Sequence, residues 1–108
     1  MMRIERTELA RSTLEEFADK NDLVMEISER TPNHWPASRY YARFRHAEIV
    51  DGQRLISSFG NGASEEEAIE AYMREISGRR LKVYDQANNW ASRYIDVPLL
   101  TAVRKAGG

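Results

Sequence analysis

The chain has 108 residues, 42% hydrophobic and 31% charged, with a formal net charge of −1 and no cysteine. That length corresponds to one domain with one modest core, and a near-neutral chain is no polycation, so any nucleic-acid site must be a local patch. Without thiols there are no disulfides, no cysteine nucleophiles and no cysteine-type zinc sites, a composition that fits a reducing cytoplasm. No run approaches the roughly 20 apolar residues of a membrane span, and the opening MMRIERTELAR carries charge where an export signal needs an apolar stretch. A cytoplasmic location without membrane contact is expected.

Residues 3–20 read as a helix. Thr13 followed by Glu16 fits a capping box, Leu14, Phe17 and Ala18 fall at helical spacing, and Leu9 and Ala10 extend the face one turn back, in the same helix or a separate one. Asn21 and Asp22 provide a stop. Residues 23–29 alternate, with Leu23, Met25 and Ile27 on one side and Glu26 and Ser28 on the other, as in a half-buried strand. The proline-containing stretch RTPNHWPAS is a loop.

The stretch RYYARFRH, residues 39–46, splits into two faces in an extended chain. Tyr40, Ala42, Phe44 and His46 share one side; Arg39, Tyr41, Arg43 and Arg45 share the other. Beyond it the apolar phase drifts from even positions to Ile49, which places a bulge at Ala47 or Glu48 if the strand runs on to Val50. Asp51-Gly52 is a hairpin turn signal, and RLISSF, residues 54–59, is the returning strand. GNGAS, residues 60–64, leads into a helix with Ser64 as N-cap and Glu67 as its partner. Glu65, Glu66 and Glu67 sit in the first turn, where the helix dipole favours negative charge. Ile69, Tyr72, Met73 and Ile76 form its apolar stripe, and Gly78 closes it.

Residues 79–84 alternate around Leu81 and Val83. DQANNWAS reads as a loop, RYIDV, residues 93–97, as a second short strand ended by Pro98, and LLTAVRKA as a terminal helical turn. The expected fold class is α+β: an antiparallel sheet of three or more strands with helices on the face of Tyr40 and Phe44, in the order α-β-β-β-α, then a short C-terminal hairpin.

The order helix, three strands, helix resembles the double-stranded RNA-binding domain over residues 8–77. Pro32-Asn33-His34 resembles that family's Pro-x-His-like loop between its first two strands. Gly60-Asn61-Gly62 resembles its glycine-bounded turn, and Ser64 and Ala68 match positions in its second helix. The resemblance implies duplex-RNA binding through lysines at the start of that helix. Here those places hold Glu65, Glu66 and Glu67, and like charges at phosphate distance repel by about 1 kcal/mol or more per pair. The standard duplex-binding mode is therefore expected to be absent, since phosphate contacts dominate such binding. The strand-strand-strand-helix part also resembles HicB-type antitoxin domains, whose helix opens with a similar T/S-x-E-E-A phrase. The run from Gly60 to Pro98 resembles small proteins encoded in bacteriophages and prophages, which implies a bacterial cytoplasm and a role in meeting or blocking host machinery.

Catalytic motifs are missing. The two histidines, His34 and His46, form no ligand cluster, and the chain lacks a nucleophile elbow, a zincin helix or a phosphate loop. A non-enzymatic protein without cofactor or metal is expected. A small enzyme, or a protein that sequesters a nucleotide, with His34 and Trp35 in its pocket is a further alternative. The candidate partner-binding residues are Arg39, Tyr41, Arg43 and Arg45 on the strand, and His34 and Trp35 in the loop. Arginine and tyrosine are enriched at interface hot spots, yet an exposed strand face also needs polar residues simply to be solvated. Trp35 and Trp90 have the same two readings, an aromatic anchor or a lid on the core. The glutamates of the second helix against Arg79, Arg80 and Lys82 give an acidic and a basic pole, a layout that suits steering towards a protein partner or self-association.

The expected partner is a host protein complex, with inhibition of a defence complex, as anti-CRISPR proteins do, as its concrete form. Nucleic acid on the basic sheet face is the alternative. A homodimer through an exposed edge strand is a further possibility the sequence leaves open.

Overall fold

The computed structural model describes residue 2, residues 11–30 and residues 36–101. The expected helical turns at 3–10, the loop residues His34 and Trp35, and the tail 102–108 lie outside the described residues. Within these limits the fold is α+β, with two helices and nine strands.

The first strand, β1 (Arg11–Thr13), runs directly into helix α1 (Leu14–Lys20). Thr13 is the hinge between them. Its backbone is extended, with ψ 157°, and its hydroxyl oxygen accepts the Glu16 amide at 3.1 Å. An N-cap residue is extended by nature, so the capping box marks the helix start and the residues just before it are strand rather than helix. The expected helix over 3–20 is corrected to that extent. Asn21 ends α1 by donating both its backbone and its side-chain amide to the Phe17 carbonyl, at 3.1 and 2.9 Å.

Strand β2 (Met25–Glu29) pairs antiparallel with β3 (Tyr40–Phe44), matching Met25 to Phe44 and Glu29 to Tyr40. The expected continuous strand through Val50 breaks at Arg45 and His46. His46 takes a left-handed backbone, φ 59°, and the chain resumes as β4 (Ala47–Asp51). The break explains the drift in phase. Ala42 and Phe44 are buried before it, Ala47 and Ile49 after it. The backbone changes ladder at the same point: the Arg45 amide donates to Val24 at 2.8 Å, while the His46 carbonyl accepts from Tyr84 at 3.0 Å.

Asp51-Gly52 makes the expected turn, with Gly52 at φ 63° and Asp51 opposite Arg54. The returning strand is also split. β5 (Arg54–Ile56) pairs with β4, and β6 (Gly60–Gly62) pairs with β3. One bent hairpin therefore supplies two adjacent strands to each of two sheets, ordered β2-β3-β6 and β5-β4-β7-β8, in place of one sheet of continuous strands.

The GNG stretch, expected as a turn, is strand β6, and its glycines are required by the second helix, α2 (Glu65–Ile76). A Cβ at Gly60 would lie 2.2 Å from the Tyr72 amide nitrogen and 2.3 Å from the Ala68 carbonyl oxygen, and one at Gly62 would lie 2.4 Å from the Ala68 nitrogen. Without side chains at Gly60 and Gly62, the two buried positions of β6, the helix lies directly on the strand backbone. Ser64 caps α2 by accepting the Glu67 amide at 3.2 Å, and the Glu67 carboxylate accepts the Ala63 amide at 2.9 Å.

After Gly78, at φ 74°, the chain forms the hairpin β7 (Arg80–Asp85) and β8 (Ala91–Asp96), with Arg80 opposite Asp96 and Asp85 opposite Ala91. Residues 99–101, expected as a helical turn, form β9 (Leu99–Thr101), parallel to β1. Two bonds hold this segment to the end of α2: the Gly78 amide donates to Pro98 at 3.2 Å and the Leu100 amide to the Ser77 hydroxyl at 2.8 Å.

Both helices and the inner faces of both sheets meet in one core. Phe44 is fully buried between Phe17 and Tyr72, with ring centroids 6.2 and 5.6 Å away. Ile49, Ile76, Leu81, Val83, Ile95 and Val97 continue the cluster into the second sheet. The parity expected for β2 holds for Met25, which packs on the core; Ile27, on the edge strand, stays 37% exposed.

Candidate interaction surface

The solvent side of the β2-β3-β6 sheet carries the arginines and tyrosine singled out above, and the register decides what they do. Glu26 lies opposite Arg43 on this side, whereas Glu29 lies opposite Tyr40, whose side of the strand is the other one, so Arg39 meets its carboxylate at the end of the row, with its guanidinium 5.3 Å from the Tyr40 ring centroid. Arg39 reaches Glu29 at 2.6 Å and Arg45 reaches Glu26 at 3.2 Å. The Arg39 guanidinium is held above its ordinary pKa by its hydrogen bond to Glu29 and by that carboxylate's charge. Arg43 has a different task. Its guanidinium donates to the carbonyls of Phe44 and Ala47, at 3.5 and 3.3 Å, on either side of the break between β3 and β4. It stitches the kink.

Tyr41 sits at the centre of an aromatic and cationic group that the sequence reading did not assemble. The Arg30 guanidinium lies 4.5 Å from the centroid of the Tyr41 ring and 5.7 Å from that of Phe59, and the two rings are 5.4 Å apart. Such stacking of a guanidinium on aromatic faces is favourable. Arg30 is fixed further by donating to the Ser38 carbonyl at 2.6 Å. Phe59, 42% exposed, was expected at the end of a strand; it falls instead in the crossover between β5 and β6, which swings it over Tyr41. The signal was available in the composition of SSFGNG, where glycines mark a close backbone approach, but the position of the ring depends on the kink.

The surface therefore unites Tyr41, Arg43 and Arg45, adds Arg30 and Phe59, and has Arg39 at its end beside Glu29 and Tyr40, while His34 and Trp35 lie outside the described residues. Its four guanidinium groups face the two carboxylates of Glu26 and Glu29. It is a mixed, mildly cationic surface with an aromatic centre.

A second feature lies at the end of the same row. A groove of about 490 Å³ opens between the start of β2 and the tip of the β7–β8 hairpin, lined in part by Val24, Arg45, His46, Tyr84 and Arg93. Trp90, 51% exposed, packs edge-on against His46 with centroids 5.0 Å apart. Among the described residues the non-glycine residues with positive φ are Asp22, His46, Asn89 and Trp90. Asp22 and His46 line the groove and the other two form the adjacent turn. Left-handed backbone is cheapest for asparagine and aspartate and costs more for bulky residues, so its concentration here fixes an exposed tryptophan beside a cleft.

Among the described residues no group of three or more His, Asp or Glu side chains could hold a metal ion, and no helix is long and apolar enough to cross a membrane. No protein-family model matches the chain, and neither a curated protein nor a solved structure matches it.

Proposed function

We propose that the protein is a non-enzymatic docking module that binds another protein through the outer face of the β2-β3-β6 sheet. One observation carries this reading: the cations of the face are already engaged. Arg39 and Arg45 are ion-paired, Arg43 is bonded to the kink, and Arg30 covers the Tyr41 ring. A phosphate-binding surface needs cations free to neutralise phosphates and so displace the counterions condensed on the nucleic acid, and a base-stacking platform needs an open ring. Aromatic rings flanked by arginines in satisfied pairs fit instead the composition of a protein interface centre. The acidic first turn of α2, Glu65 to Glu67, supports the same reading by opposing phosphate.

The partner in this reading is a host protein complex, and the concrete form is inhibition of a defence complex in a bacterial cytoplasm. That extension rests on the resemblance of the Gly60–Pro98 run to phage-encoded proteins. Nucleic acid on the same face is the competing reading, favoured only by the excess of guanidinium over carboxylate groups there.

The test is a pull-down of the tagged full chain from bacterial lysate, with and without nuclease, repeated with Arg30→Ala, Phe59→Ala and, as a remote control, Arg74→Ala. A stoichiometric protein that survives nuclease and is lost with Arg30→Ala and Phe59→Ala supports the reading. Binding that nuclease abolishes, or that Arg74→Ala disrupts equally, overturns it.

A further inference from the structure

Strand β8 has a partner on one side only: among the described residues its sheet neighbour is β7 alone. The parity of the ladder shows which backbone groups face away. The Val97 amide donates to the Arg79 carbonyl at 2.7 Å, and these residues continue the register in which Arg80 lies opposite Asp96. Bonded and non-bonded pairs alternate along an antiparallel ladder, so Ile95 and Arg93 bond to β7. Ser92, Tyr94 and Asp96 turn their N–H and C=O groups outward. The other side of β7 agrees, since the Tyr84 amide donates to His46 and even-numbered β7 residues thus serve β4.

This edge is the longest open one in its sheet, six residues against three for β5. Two of the usual protections are missing from it. Ala91–Asp96 contains no proline and no lysine. Its one arginine, Arg93, is turned to the inner side, where its guanidinium donates to the Asn21 carbonyl. Residues 91–94 are all exposed, and Tyr94 is 59% exposed.

We infer that β8 is a dimerisation edge, along which a second copy of this chain adds antiparallel about a two-fold axis at Tyr94. The sequence of the strand is self-complementary about that point. Tyr94 meets Tyr94 of the second copy, Ser92 meets Asp96, and Arg93 meets Ile95, so no like charges are opposed. Up to about six inter-chain backbone bonds form from the outward groups. The Tyr94 rings lie side by side on the open face, each near its own Lys82, whose ammonium is 5.8 Å from the ring centroid. Asp96 is already paired with Arg80 at 2.7 Å and enters the interface neutralised. The two four-stranded sheets become one continuous sheet of eight strands with an isologous interface.

Sedimentation equilibrium of the full chain over a concentration series tests this, together with Tyr94→Lys, Tyr94→Pro and Tyr94→Cys. Tyr94→Lys opposes two ammonium groups on the axis, and Tyr94→Pro removes an N–H that by the ladder's parity faces away from β7 and has no strand partner among the described residues. Opposed residues of a bonded pair have Cα atoms about 5.5 Å apart, a separation a disulfide bridges, and the chain has no other thiol. The expected result is a dimer that both Lys and Pro variants convert to a folded monomer, with Tyr94→Cys cross-linking under mild oxidation. A monomer at every concentration overturns the inference, as does a dimer that Tyr94→Lys leaves intact and Tyr94→Cys fails to cross-link. If Tyr94→Pro does not fold, Tyr94→Lys decides. The Arg30–Tyr41–Phe59 surface takes no part in this edge, so either proposal can fail without the other.

Discussion

Two glycines in this chain look alike in composition and differ in consequence. Gly52 has a left-handed backbone and open space around its α-carbon, so Gly52→Ala meets only backbone strain, about 1 kcal/mol. Gly60 faces the backbone of α2 itself, which cannot rotate out of the way. Gly60→Ala is expected to cost about 3 kcal/mol or more, at or beyond the upper end for overpacking. Urea unfolding midpoints of the two variants measure the contrast. Tyr72 offers a second residue-scale test. Its hydroxyl is pushed above the ordinary phenol pKa, chiefly by burial. Because the folded value is raised, the stability that depends on a neutral phenol is complete below about pH 10, the unfolded value, and is lost as pH climbs through the folded one. Stability should therefore fall on the alkaline side, and Tyr72→Phe should flatten that fall. Tyr84, also raised, chiefly by its hydrogen bond to Glu48, leaves a slope of the same sign behind.

At the scale of elements, the cap of α2 is the simplest test. Ser64→Ala removes the acceptor for the Glu67 amide and should cost about 1 kcal/mol in thermal or urea unfolding. Such local signals were legible in the sequence: both capping boxes, the Asp51-Gly52 turn, the alternation of residues 79–84 and the phase drift near Ala47 all act over a few residues. What was not legible depends on distant chain. GNG offers one side chain, Asn61, between two glycines, too little to show an alternation, and the helix lying on Gly60 and Gly62 accounts for the strand. The pairing of β1 with β9 joins the two ends of the described chain, so LLT gave no local sign of being extended. The candidate surface divides the same way. Its arginines and tyrosine could be read from period-two spacing, but their ion pairs follow from the β2–β3 register, and Phe59 comes over Tyr41 only because both strands of the hairpin break.

For the whole molecule, the shared core predicts a single cooperative transition. Phe44 belongs to the first sheet and touches both helices, while Leu81 and Ile49 lie in the second. Phe44→Ala should cost about 3–5 kcal/mol and lower the hydrogen-exchange protection of Leu81 and Ile49 amides as much as those of β3. If only β3 and β6 lost protection, the sheets would unfold as separate units.

The bent hairpin also sets an order of assembly. Residues 40–62 find one another across a two-residue turn, and short loops close at little entropic cost. Once closed, this segment offers a templated flank to β2 at one end and to β7 at the other. β1 and β9 must wait until both flanks are filled, because their pairing closes the longest loop in the chain. Stopped-flow refolding should then show that Gly52→Ala mainly slows folding, whereas Leu100→Ala in β9 mainly speeds unfolding. The kink that divides one strand between two sheets is thereby the seed from which both are laid down.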